Sequence, residues 1–276
     1  MKKHINNENF TVGLLIDSKY KPLVRLYYDV ARNADNIADD AYLTTPKKLQ
    51  ELEKIEQSFV NKDSTSAGEL GKMFADENLA YGLFGDLLEA FRRDAKGIKI
   101  EIWEQLLDYC SYSAAPVGRF MLAIFDENPS TYLPAETLCA VLQITNHLQD
   151  LKHDVCILRR CYLPSKMMQE FGVRETDFCL QYATEETKEM IKHIIKRLRA
   201  MLQDAKTLLY LVRNRRLKAE IGVILSLTNS MLKKVEKGDV IAQNIRLNKF
   251  DWIKALLIGI LQGLFIRTKS CSNNLR

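Results

Sequence analysis

Apolar residues recur along most of this chain with the 3.6-residue period of an α-helix. No segment alternates between apolar and polar residues for long enough to form a half-buried strand. Pro22, Pro46 and Pro134 each stand where a proline can open a helix, because the first helical turn does not use the missing N–H. The pattern predicts an all-α fold of about ten or more helices.

Breaks in the helical period indicate where helices end. The polar stretch 61–68 predicts a loop, and residues 126–129 predict a turn. Residues 184–216 carry one continuous helical pattern, which predicts a single long helix. With 276 residues, of which 47% are hydrophobic, the chain can bury a large core. We expect one domain over residues 1–276, with two intimately packed helical domains as the alternative.

Two narrow polar stripes interrupt the apolar pattern. They consist of Arg32, Asp35 and Asp39, and of Asn146, Asp150 and Asp154. At 100° per residue, the members of each stripe fall within about 80° of one another on their helix. Each stripe has two aspartates four residues apart, so both carboxylates project from one face. Two such faces could hold a metal-bound diphosphate.

The free-energy cost of placing these carboxylates close together and away from water indicates that a cation binds to them. Two like charges four residues apart destabilise a helix by roughly a few tenths of a kcal/mol, and removing them from water costs far more unless a cation compensates. Mg²⁺ suits carboxylate ligands that are shared with a phosphate-bearing substrate. The stripes therefore predict a magnesium site.

The net charge and the cysteines indicate which partners and which cellular location to expect. The formal net charge of +5 is mild and spread out, and there is no basic arm or zinc-finger spacing, so nucleic acid is not expected as a partner. The cysteines form no CxxC motif and no disulfide framework, which predicts reduced thiols in a cytoplasmic protein. The six are Cys110, Cys139, Cys156, Cys161, Cys179 and Cys271. The N-terminus lacks the apolar core of a signal peptide, which favours the same location.

Residues 255–266 are apolar except for Gln262, and this segment is too short for the roughly twenty residues that span a bilayer. Two interpretations remain. The segment is a packed terminal helix, or it also contacts a membrane surface with help from Arg267, Lys269 and Arg276, which would place the protein peripherally at the inner membrane.

Five motifs in order resemble the squalene/phytoene synthase family, whose members join or rearrange isoprenoid diphosphates. The resemblance covers residues 8–254, nearly the whole chain. The motifs are Tyr28 to Asp40, Leu87 to Asp94, Tyr109 to Gly118, Gln143 to Asp154 and Arg160 to Pro164. Within the family, the chain most resembles the bacterial hydroxysqualene synthase branch, which serves hopanoid and squalene biosynthesis. This resemblance is carried by the sequences Glu8 to Phe10, Tyr112 to Gly118 and Asn146 to Asp150.

The resemblance implies an isoprenoid synthase-type helical bundle with a central apolar cavity. It implies Mg²⁺-dependent ionisation of presqualene diphosphate, rearrangement of the cation and capture by water to give hydroxysqualene. A presqualene diphosphate synthase would then supply the substrate, and a squalene-forming reductase would consume the product. Without a Gly-rich dinucleotide fingerprint, we expect no reduction to squalene by this chain itself.

The resemblance also implies roles for individual residues. It implies that the metal ligands are Asp35, Asp39, Asp150 and Asp154. It implies that the catalytic groups are Arg32, Arg160 and Tyr109. As substrate-binding residues it implies Phe10, Tyr28, Tyr112, Gln143, Asn146 and Tyr162. The arginines would contact phosphate oxygens, and the aromatic faces would shield and stabilise a carbocation. The sequence departs from the family pattern at Thr11, Asn36, Ser111, Ala115 and Arg159, where proline, aspartate, arginine, asparagine and glycine are usual.

Several residues have simpler alternative roles. Arg32 could pair with Asp29 or Asp35 on its own helix. Tyr109 and Tyr112, three residues apart, could be core packing. Two histidines, His147 and His153, are about 240° apart on a helix, so they are not expected to ligate one metal together.

Other functions stay open at this stage. One is head-to-head condensation of two prenyl diphosphates, such as farnesyl diphosphate, to presqualene diphosphate, squalene or a phytoene-type product. Another is a non-catalytic assembly factor of the same family, for which eroded aspartate pairs would be typical. A head-to-tail prenyltransferase or terpene cyclase would usually carry a denser DDxxD motif than Asp35 to Asp39 provides.

Overall fold

The computed structural model describes residues 15, 17–97 and 99–268, and within these residues it contains helices, turns and no strand. The predicted all-α fold is confirmed. The longer helices are α1 (Lys21–Asp39), α2 (Thr45–Asn61), α3 (Ser66–Asp76), α4 (Gly82–Lys96), α5 (Trp103–Ser113), α6 (Ala115–Ile124), α7 (Tyr132–Gln149), α10 (Glu185–Ala205), α12 (Arg215–Lys237) and α13 (Lys249–Phe265). The shorter ones are α8 (Leu151–His153), α9 (Ser165–Glu170) and α11 (Leu208–Leu211), with a π-helical turn at Asp154–Leu158.

Local sequence signals set most helix starts. Pro22 and Pro46 lie in the first turns of α1 and α2, and Pro134 is the third residue of α7. The predicted turn at 126–129 is present, and Asp126 adopts a left-handed φ of 50° there. The predicted loop at 61–68 is shorter than expected, because Thr65 caps α3 by accepting a hydrogen bond from the Gly68 N–H at 3.1 Å.

The single long helix expected over residues 184–216 is wrong. The chain leaves the helix after Ala205 and begins α12 at Arg215. The buried carboxylate of Glu127 accepts the N–H groups of Arg213 at 2.8 Å and Asn214 at 2.7 Å. These two amides are therefore used in a tertiary contact, and a continuous helix would need them for its own hydrogen bonds.

The buried apolar residues form two cores. The first core lies among α1, α2, α3, α4 and α6, and Tyr27 stacks on Phe120 in it with ring centroids 4.2 Å apart. The second core lies mainly among α5, α7, α10 and α12. Tyr28 packs half-buried against the first core, yet burial raises the pKa of its hydroxyl, with further contributions from Cys139 on α7 and Glu220 on α12. Tyr28 therefore lies close to helices of the second core.

Two cysteines are not the reduced thiols that the sequence predicted. Cys156 and Cys179 form a disulfide with their Cα atoms 5.9 Å apart. The π-helical turn after the second aspartate segment packs against a 3₁₀ turn at Glu175–Cys179, which brings the two residues together. Their separation of 23 residues matches no familiar spacing. The cysteine pattern therefore gives no support for a cytoplasmic location.

Within the described part of the chain, no helix combines the length and apolar character needed to cross a bilayer.

Candidate active site

Arg160 connects the two aspartate segments. Its Nη1 lies 2.5 Å from Asp39 Oδ1, and its Nη2 donates to the Ala38 carbonyl oxygen at 2.6 Å, so its side chain holds the end of α1. Its backbone N–H donates to the carbonyl oxygen of Asp154 at 2.9 Å. The fold thus joins two stripes that are more than a hundred residues apart in sequence.

The first stripe lies along α1. Arg32 donates to Asp35 with an Nη1–Oδ2 distance of 2.7 Å, so the pairing of Arg32 on its own helix is present. Asp29, the alternative partner, lies 3.9 Å from Arg25 instead. The unusual Asn36 is exposed, on a different side of the helix from the half-buried Asp35. Its effect on the site is therefore indirect.

The second stripe spans the end of α7 and the turn that follows. The Asp150 N–H donates to Asn146 O at 2.9 Å, and the Asp154 N–H donates to Asp150 O at 2.8 Å. This i to i+4 connection keeps the three residues aligned, as predicted. Asp154 is buried, and its two carboxylate oxygens lie 3.8 Å from His147 Nδ1 and 3.5 Å from His153 Nδ1.

Asp94, at the end of α4, is a site residue that the sequence analysis missed. Its carboxylate accepts the hydroxyl of Tyr109 at 2.9 Å and that of Tyr162 at 3.0 Å. Burial raises the pKa of Asp94 to about 6, although the charge of Arg160 and the two tyrosine hydrogen bonds act in the opposite direction. Asp94 is the last residue of the motif Leu87 to Asp94, so the sequence pointed to this position without indicating its function.

His147, which the sequence excluded only as a joint metal ligand with His153, also belongs to this cluster. Its ring stacks on Tyr162 with centroids 4.0 Å apart, and Tyr162 lies 5.2 Å from the ring of Tyr109. The His147 Nε2 lies 3.3 Å from Gln143 Nε2. Gln143, Tyr109 and Tyr162 therefore lie close together, with His147 between the aromatic cluster and Asp154.

Arg160 also belongs electrostatically to this cluster. Desolvation opposes its charge, but Tyr162, Asp94 and Asp39 outweigh desolvation and raise the pKa of the guanidinium. The group is thus held positive between the aspartate segments and the tyrosine pair.

The other predicted substrate-binding residues differ in their surroundings. The ring of Tyr112 packs under the Arg93 guanidinium at 3.8 Å, and Arg93 pairs with Asp108 at 2.7 Å. Asn146 is half-buried, and its carbonyl accepts the Asp150 N–H. Phe10 lies outside the described residues.

The donor chemistry of the two stripes fits Mg²⁺. Among residues 15, 17–97 and 99–268, no three His, Cys, Asp or Glu side chains are already gathered as a metal cage. Mg²⁺ in phosphate-transfer sites commonly uses one or two carboxylates together with substrate oxygens and water, so a ready cage is not required. Asp35 and Asp39 now pair with arginines, which a diphosphate could engage in their place.

Known proteins resemble this chain in both sequence and fold. Residues 3–250 match the squalene/phytoene synthase family. The chain belongs to this family. The resemblance carried by the five motifs is thereby confirmed over most of the sequence.

The relatives share most of their length with this chain. It is 30% identical to a hydroxysqualene synthase of Zymomonas mobilis over 266 residues, which cover 94% of this chain and 89% of that one. It is 31% identical to a hydroxysqualene synthase of Rhodopseudomonas palustris, with coverage of 90% and 86%. The crystal structure of squalene synthase HpnC from Alicyclobacillus acidocaldarius superposes with a TM-score of 0.73 at 28% identity, with coverage of 82% and 86%. These relatives are isoprenoid enzymes, and this squalene/phytoene synthase family member is an enzyme of the same class.

Proposed function

We propose that this enzyme converts presqualene diphosphate to hydroxysqualene. The observation that carries the proposal is the Arg160 bridge, because it links both aspartate stripes, which we propose to form one diphosphate-binding face. The choice of reaction within the family is supported by the hydroxysqualene synthases among its relatives.

The first step is departure of the diphosphate from a cyclopropylcarbinyl carbon, which leaves a carbocation. We propose that Asp35, Asp39, Asp150 and Asp154 hold Mg²⁺, which when bound neutralises the charge that develops on the leaving group. Arg32 and Arg160 would exchange their carboxylate partners for phosphate oxygens, and the guanidinium fork suits such contacts.

The rearranging cation needs an apolar, water-poor space. Half-buried residues line both cores, including Tyr28 and Val117 on the first and Leu142 and Ile224 on the second. We propose that this space lies where the two cores meet, because Tyr28 of the first core lies near Cys139 and Glu220 of the second-core helices. Such a cavity would exclude bulk water until the rearrangement is complete.

The Asp94 cluster supports the capture step. Tyr109 and Tyr162 both donate their hydroxyl hydrogens to Asp94, and the Tyr162 oxygen also accepts from Arg160, so the lone pairs of Tyr109 are the ones proposed to be directed toward the substrate. These lone pairs can orient a water molecule toward the cation. The C–O bond forms as the water loses a proton, and we propose that the proton passes through a tyrosine hydroxyl to Asp94. A pKa of about 6 allows Asp94 to accept it reversibly.

The alternative within the family is head-to-head condensation of two prenyl diphosphates. It is favoured by the likeness to squalene synthase HpnC. Condensation starts from farnesyl diphosphate, so the two proposals differ in substrate.

Separate incubations with presqualene diphosphate and farnesyl diphosphate, each with Mg²⁺, distinguish the two. We expect hydroxysqualene from presqualene diphosphate only, with its oxygen labelled in ¹⁸O-water and the product unchanged by NADPH. Squalene on addition of NADPH, or presqualene diphosphate as the end product from farnesyl diphosphate, would assign a sister activity in the family.

A further inference from the structure

Helix α13 uses its smallest residues to pack against the rest of the protein. Ala255, Gly259 and Gly263 are buried along the face that meets α12. A Cβ atom on Gly259 would lie 2.5 Å from the Ala219 carbonyl oxygen, and one on Gly263 would lie 2.8 Å from the Arg215 carbonyl oxygen. The two helices therefore approach too closely for larger side chains between them.

The large apolar residues of α13 point to solvent. We call these seven residues the outer face: Phe250, Ile253, Leu257, Ile260, Leu261, Leu264 and Phe265. Their exposed fractions run from 45% at Ile260 to 80% at Phe250. At 100° per residue they share an arc of about 140°, on the side opposite Gly259. A contiguous apolar surface of this kind indicates a binding partner.

The charges around the outer face have one sign. Arg246, Lys249, Lys254 and Arg267 are all exposed. Between residues 246 and 268 the sequence contains a single carboxylate, Asp251. It pairs with Lys234 of α12 at 3.2 Å and accepts the Asn248 N–H at 2.8 Å, so it is turned toward the protein. The outer face thus offers apolar side chains framed by cations.

We propose that the outer face docks onto an anionic lipid surface, with α13 lying in the plane of the interface. Apolar side chains would enter the headgroup region while the cations contact acidic headgroups, as in other interfacial helices. Lys254 lies within the arc itself, and its long stem lets the ammonium group reach the headgroups.

Charge argues against a second copy of this chain as the partner. A two-fold contact would bring the same face of both copies together, placing cations opposite cations with no exposed carboxylate from α13 to compensate. An anionic lipid surface would accommodate the apolar side chains of the outer face and would also attract the cations around it.

Co-sedimentation of the full chain with phosphatidylcholine vesicles, with and without phosphatidylglycerol, tests the proposal. We expect binding to the anionic vesicles only, weakened by added salt. The double variant L257E/L261E should bind them at least about tenfold more weakly. Leu133→Glu, at a position on α7 that is 73% exposed, is the matched control and should bind as the wild type does. K249E/K254E should lose the preference for phosphatidylglycerol.

Two further measurements separate docking from folding and from catalysis. Turnover of substrate dispersed in detergent should be unchanged in L257E/L261E, because the proposal concerns the surface and does not depend on the reaction. Sedimentation velocity would detect self-association. Failure of the wild type to bind anionic vesicles, or equal binding by L257E/L261E, would overturn the proposal. A dimer that L257E/L261E dissociates, without vesicle binding, would assign the face to a second copy.

Discussion

The side chains of Arg160 and Asp39, 121 positions apart in the chain, form an ion pair with an Nη1–Oδ1 distance of 2.5 Å. The pair links the last turn of α1, which carries the first stripe, to a residue six positions after Asp154, the last member of the second stripe. The same guanidinium also interacts with Asp94 and Tyr162, so it connects the aspartate stripes to the tyrosine pair.

Arg160→Ala should weaken binding of inorganic diphosphate by more than about 1 kcal/mol, the lower range for a charge-assisted hydrogen bond. Arg160→Lys should recover part of this loss, because it restores the charge without the planar fork. Isothermal titration with Mg²⁺ present measures both. Arg25→Ala is the control, since Arg25 is exposed and its Nε lies 3.9 Å from the carboxylate of Asp29, outside the stripe. Unchanged affinity in Arg160→Ala would remove this residue from the diphosphate site.

Asp35→Ala and Asp150→Ala should each abolish turnover while far-UV circular dichroism stays close to that of the wild type, because the two carboxylates are proposed metal ligands and not core packing. Asp29→Ala changes the same helix at an exposed carboxylate outside the stripe. It should retain activity. Wild-type rates in either stripe variant would contradict the metal assignment.

Asp94 should make the protein less stable as pH rises. Its folded-state pKa of about 6 lies above the ordinary aspartate value, so the folded state favours the protonated form. The resulting stability is present below about pH 4 and is lost as pH rises to about 6, with an upper limit of about 3 kcal/mol. Urea unfolding across this range should show the loss in the wild type, and Asp94→Asn should lack it. Parallel curves for the two proteins would refute the raised pKa.

The same carboxyl group should appear in the rate profile. If Asp94 accepts the proton released by water, kcat should fall as pH drops below about 6, where the group is already protonated. Asp94→Asn should have a low kcat without this inflection. A wild-type profile that is flat through pH 6 would limit Asp94 to holding the two tyrosines.

Arg159→Gly should stabilise the protein. Arg159 has φ 58° and ψ 37°, a left-handed conformation that costs residues with a Cβ atom roughly 1 kcal/mol. Glycine removes that cost but loses more chain entropy on folding, so we expect a net gain of about 0.5 kcal/mol in thermal or urea unfolding. Lys62→Gly is the matched control, with φ 53° in an exposed position after α2. A loss at residue 159 beside a gain at residue 62 would show that the Arg159 side chain makes stabilising contacts.

Local patterns predicted the helices, their proline starts and the alignment within each aspartate stripe, because these depend on residues within a few turns of one another. Contacts between distant segments were not predictable in this way. The break before α12 depends on Glu127, and the disulfide depends on the packing of two short turns. The role of Asp94 depends on hydroxyl groups contributed by residues 109 and 162.

The packing of α13 reverses the usual constraints on a surface helix. Its inner positions, Gly259 and Gly263, leave no room even for a methyl group, whereas the side chains of its outer face are 45% to 80% exposed. Folding therefore restricts variation at the smallest residues and leaves the largest ones free to become polar. The leucine, isoleucine and phenylalanine side chains at these positions lower solubility, and the fold itself does not require them.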